Sequence, residues 1–123
     1  MANLSNTEWK TLKEKLTKDG RLEKFVLGEP EQEYVISRGM DILRLHAIDF
    51  VNKRLAPATP KNDGRQTPTK GHPVFIAQHA TGCNDRDGLT TFYNIPKGEP
   101  LTEDQVKMIV DVILRWIEEN LDD

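Results

Sequence analysis

Cysteine is nearly absent from this sequence: Cys83 stands alone in 123 residues. A single thiol can neither close a disulfide within one chain nor supply a cysteine-rich zinc site, which fits a reducing compartment. Long apolar runs are missing too. No window approaches the roughly 18 to 20 consecutive apolar residues of a membrane span, and Met1-Ala2-Asn3-Leu4-Ser5 lacks the basic-then-apolar order of a secretory leader. The reading is a soluble, cytoplasmic protein without a membrane partner. Aromatic residues make up only 7%, so platforms for stacked nucleobases look scarce, with Phe92 and Tyr93 the ones near the polar residues. No Walker loop, dinucleotide fingerprint or nucleophile elbow is present.

What is there begins with charge. Residues 53 to 72 carry Lys53, Arg54, Lys61, Arg65 and Lys70 against Asp63 alone, an excess of four positive charges. The remainder carries an excess of seven negative ones, giving the net charge of -3. A basic loop on an acidic body can attract an anion or a nucleic-acid backbone; it can also be only a solvated loop. The length fits one domain over 1–123, able to bury roughly two-thirds of its unfolded surface.

Along the chain, Ser5 and Glu8 form a capping-box pattern. Trp9, Leu12 and Leu16 follow at helical spacing, so residues 1–20 read as an N-terminal amphipathic helix stopped at Asp19-Gly20. Leu22 to Leu27 is ambiguous between helix and strand. Glu29-Pro30-Glu31 starts a helix that Gly39 ends, and a longer, largely buried helix runs from Asp41 to about Leu55. His46 falls in that pattern as a packing histidine. Residues 56–72, with Pro57, Pro60, Pro68 and Asn62-Asp63-Gly64, form a long loop of the kind that is either functional or disordered. Thr102 and Gln105 make a second capping box, opening a C-terminal helix over 102–121 that is apolar almost all round. Such a helix needs covering, by the rest of the chain or by a second copy in a homodimer.

The stretch from His72 to Cys83 concentrates the polar chemistry. Val74 to Gln78 reads as a strand covered on both faces, presenting Gln78 and His79 at its end, and Thr90 to Ile95 is β-prone enough to propose a hairpin. A Cys83–His79 dyad needs contact at about 3 Å, yet four residues of strand span about 13 Å. His72, His79, Asp85, Asp87 and Cys83 match no zinc spacing, and a calcium-loop reading of 83–94 lacks its first and last carboxylates. No metal is assigned. Polar recognition is the remaining candidate, by Lys61, Asn62, Asp63, Arg65, Gln66, Thr67, His72, Gln78, His79 and Arg86, whose donors suit phosphate or carboxylate.

Arg54-Leu55-Ala56-Pro57, Pro60-Lys61-Asn62-Asp63-Gly64, Gln66-Thr67-Pro68, Gly71-His72-Pro73-Val74-Phe75, Ala77-Gln78-His79-Ala80-Thr81 and Ile95-Pro96-Lys97-Gly98 together resemble the bacterial domain-of-unknown-function family 4186, over roughly residues 25 to 120. The resemblance brings no established activity. It implies that relatives carry a Cys-Cys-Arg-Gly-Cys cluster leading into Lys-Trp-His where this chain has Asn84-Asp85-Arg86-Asp87-Gly88 and Thr91-Phe92-Tyr93. If relatives use that cluster as a Cys/His metal site or for redox chemistry, this chain has lost it, and no cofactor is expected. The family pattern also implies helix at 89–95, against the hairpin.

The expectation is an α+β fold, mainly helical, with a small β-sheet or hairpin around residues 74–79 and a long C-terminal helix. The leading function is a non-catalytic binding module for an anionic ligand or nucleic acid, through the basic loop and the His72/Gln78/His79 strand end. The alternatives are a hydrolase-type enzyme using His79 with Asp85 or Cys83, and a protein-inhibitor or interaction module with a protein partner.

Overall fold

Seven helices follow one another in a computed structural model that describes residues 4–62 and 64–121. Helix α1 (Asn6–Asp19) begins where Ser5 accepts from the Glu8 amide and Glu8 accepts from the Ser5 amide, so two otherwise orphaned donors are satisfied. It ends at Gly20, where a φ of 83° suits glycine. The ambiguous segment after it is one turn of helix, α2 (Arg21–Lys24), followed by extended chain. Helices α3 (Glu29–Arg38) and α4 (Met40–Arg54) meet at Gly39, and Pro30 sits in the first turn of α3 where its missing N–H costs nothing.

The next two helices, α5 (Pro73–Ala80) and α6 (Arg86–Tyr93), correct the sequence reading. There is no strand among the described residues, and the fold is all-helical rather than α+β. Residues 73–80 looked like a strand because both faces are apolar. Val74, Ile76, Ala77, Gln78 and Ala80 are in fact buried in a short helix whose half-exposed side carries Phe75 beside His79, so no clear polar period marks it. Pro73 at its first position and the His72 imidazole, which accepts from the Val74 amide at 3.0 Å, start it. Residues 90–95 are not a hairpin. Asp85 caps α6 by accepting from Gly88, Leu89 and Phe92 point into the core three residues apart, and Asn94 ends the helix in the left-handed region at φ 57°. Packing overrides the β-prone composition there.

Helix α7 (Glu103–Glu119) opens with the Thr102/Gln105 capping box and packs on α4 and α5. Helix α5 lies at the centre, against α2, α3, α4 and α7. No large apolar side chain of α7 is exposed, so the chain itself covers the helix that had suggested a homodimer. The turn from α5 to α6 is closely packed. A Cβ on Gly88 would fall 2.1 Å from the Gly82 carbonyl oxygen, and one on Gly82 would fall 2.3 Å from the Phe92 ring.

The long connection from Leu55 to His72 is fastened at both ends. Arg86, 1% exposed, donates to four carbonyls: Leu55 at 3.0 Å, Pro57 at 2.9 Å, Pro96 at 3.0 Å and Glu99 at 2.7 Å. The first two belong to the start of the loop and the last two to the segment before α7, which also gives the Leu101 amide to Ala56 O at 2.9 Å. At the far end, Thr67 donates its hydroxyl to Asn84 O at 2.7 Å, and His79 Nε2 meets Thr67 O at 2.9 Å. Changing Arg86→Lys keeps the charge but loses the planar fork and leaves buried carbonyls unpaired. We expect a loss of about 3 kcal/mol or more in urea unfolding; a change below about 1 kcal/mol would contradict this assignment.

Candidate anion-binding site

Where α4 ends and the loop folds back, Lys53, Arg54, Lys61, Asn62, Arg65, Gln66 and Pro68 line a recess of about 390 Å³. Among the described residues no carboxylate lines it. Cations at the last turn of α4 complement the negative end of the helix dipole. Lys53 also pairs with Asp49 at 3.1 Å in full solvent, a weak contact. Arg54 differs, because its guanidinium lies over the Phe50 ring at 5.3 Å and the Phe75 ring at 4.9 Å. Its Nη1 is buried and finds no partner among the described residues.

The loop side of the recess is shaped locally. Asn62 and Gly64 take left-handed conformations, Arg65 N–H closes on Asn62 O at 2.7 Å, and buried Gln66 accepts from the Gly64 amide at 2.8 Å. Lys61, Asn62 and Arg65 are left exposed. Asp63, one of the expected ligand-binding residues, lies outside the described residues.

The other expected site residues are elsewhere. Gln78 is fully buried and donates to Cys83 O at 3.1 Å, while its Oε1 has no partner among the described residues. His79 stacks on Phe25 at 5.3 Å while holding Thr67, and Thr67 and Arg86 are buried in the ties described above. Asp85 Oδ1 is the α6 cap, at 2.7 Å from the Gly88 amide. Cys83 is fully buried, and that burial pushes its thiol up to about 11, so it is neutral at pH 7 and poor as a nucleophile. Among the described residues, no group of three or more His, Cys, Asp and Glu side chains is placed to hold a metal ion.

His72 belongs to a cluster that the sequence reading missed. Its ring meets Tyr34 at 5.2 Å, Phe50 at 5.1 Å, Phe75 at 5.6 Å and His46 at 5.1 Å. These residues come from α3, α4 and the start of α5, so no local spacing announces them. Phe50 and Arg54, four apart on α4, were the one available signal. The hydrogen bonds fix the tautomers. Because the Val74 N–H can only donate, His72 Nδ1 accepts; neutral His72 then carries its proton on Nε2 and donates to His46 Nδ1 at 3.0 Å.

These features define a class: a small helical domain with a cationic recess beside a cluster of rings. No helix among the described residues is long and apolar enough to cross a membrane. The chain belongs to the family described as Domain of unknown function (DUF4186), whose model matches residues 10–118. No solved structure matches it.

Burial, and then the neighbouring His46, hold His72 down to about 4 from the ordinary 6.5. The unfolded chain therefore binds the proton more tightly. The stabilisation from neutral His72 is complete above pH 6.5 and is lost as pH falls toward 4. Discounted for partial exposure, it is worth about 2 kcal/mol. Asparagine can cap α5 without titrating. Denaturant unfolding of His72→Asn should thus lose about 2 kcal/mol less than the unchanged protein between neutral pH and pH about 4.5. Identical pH profiles would refute the assignment.

Proposed function

We propose that this domain binds a phosphate-bearing anion, without catalysis, in the recess formed by Lys53, Arg54, Lys61 and Arg65. The observation that carries the reading is Arg54. Two rings hold its planar guanidinium in place, and its buried Nη1 has hydrogen-bonding capacity that no described residue uses. A preset guanidinium loses little entropy on meeting an oxyanion and offers fork geometry that phosphate matches. Lys61 and Arg65 add mobile charge at the rim.

A hydrolase reading has less support, since Cys83 is a buried neutral thiol and Asp85 and His79 each hold a backbone group. A protein contact finds support in the exposed Ile36, Ile42 and Leu45 on α3 and α4.

Calorimetric titration with inorganic tripolyphosphate at low salt tests the anion reading. The unchanged protein should bind, and affinity should fall as salt rises toward roughly 0.2 M, where screening shortens the reach of the charges. Changing Lys61→Ala together with Arg65→Ala should weaken binding about tenfold or more while leaving the circular dichroism melt in place, since both side chains are exposed. No binding, or binding indifferent to these changes, would overturn the reading.

A further inference from the structure

We propose that the ligand of this recess is single-stranded nucleic acid, with a phosphate among the cations and an unpaired base stacked at the ring cluster beside Arg54. This rests on the anion-binding reading and goes further by naming the ligand class. Arg54 belongs to both halves of the site, lining the recess and packing over Phe50 and Phe75. The rings are contiguous: Phe50 lies 4.7 Å from Phe75, and His72 touches both and continues the cluster to Tyr34. None of them is in the buried core, whose large aromatic residues are Trp9, Phe92 and Trp116. A chain with eight Phe, Tyr and Trp residues has thus left three of them half-open beside its basic segment.

A planar guanidinium backed by rings is itself a stacking surface for a base, and every base offers a π-face. Neutral His72 keeps the cluster free of added charge. Duplexes suit the site less, because their bases are already stacked and their continuous phosphate backbones would meet the acidic remainder of the surface. The cations are few and confined to one recess, so the footprint is short. With up to four phosphates neutralised, the salt slope for a single strand should be at most about 3.

The test compares fluorescently labelled oligothymidylate of about a dozen nucleotides with an abasic strand of the same length and phosphate count. The unchanged protein should bind oligothymidylate about tenfold tighter than the abasic strand. Tyr34→Leu, which removes a ring of the cluster that does not pack on Arg54, should narrow that gap while retaining tripolyphosphate binding. If that variant does not fold, the comparison of strands on the unchanged protein still decides. Equal affinity for the two strands alongside tripolyphosphate binding would overturn base stacking and leave the anion reading intact. Duplex of equal length binding as tightly as single strand, or phosphatidylglycerol vesicles displacing the oligonucleotide, would also overturn this proposal. Failure of both the oligonucleotide and tripolyphosphate to bind would overturn both readings.

Discussion

The buried guanidinium of Arg86 is the constraint on which the rest of this small domain depends. It is a full charge taken out of water, and it is tolerable only because four backbone carbonyls are turned toward it. Those carbonyls come from two segments far apart in sequence, the chain leaving α4 and the chain entering α7. Arg86 itself sits in the first turn of α6, started by the Asp85 cap. One side chain therefore fixes where three elements begin or end. The glycine crossing at Gly82 and Gly88 brings α6 close enough to α5 for this to happen.

That knot has a functional consequence through the loop. A connection rich in proline and glycine would ordinarily sample many conformations, and its charges would be spread over them. Here Arg86 holds one end, while Thr67, His79 and Asn84 hold the other. The span between is short enough that Lys61 and Arg65 face Lys53 and Arg54 across one recess. The expected binding residues thus divide by role. Thr67, Gln78, His79 and Arg86 are fasteners, whereas Lys61, Asn62 and Arg65 stand on the surface that the fasteners shape.

Much of this was legible in the sequence wherever local chemistry decides. Both capping boxes, the Gly20 and Gly39 stops and the Pro30 start are set within four residues of chain, and each is formed. Residues 73–80 and 86–93 were misread because their state is decided by what surrounds them. A helix buried over most of its surface, with the aromatic Phe75 on its half-open side, has no clear polar stripe, and an imidazole acting as its cap is not among the usual cap residues. Asp85 was read as a candidate metal or catalytic carboxylate and not as the start of α6. For the site, the charge of residues 53–72 could be counted directly. The ring cluster could not be seen, since Tyr34, His46, Phe50, His72 and Phe75 converge from three helices. Arg86 and Gln78 were read as donors to a ligand because sequence cannot say that a polar side chain is spent on its own backbone.

The central claim is that the loop is held in one conformation before any ligand arrives. Backbone ¹⁵N relaxation of the free protein at Gly64, Arg65, Gln66 and Thr67 measures this directly. The account predicts order parameters near those of the helices, about 0.8 or above, despite the composition of the segment. Values below about 0.6 would mean that the recess forms only transiently and would contradict it.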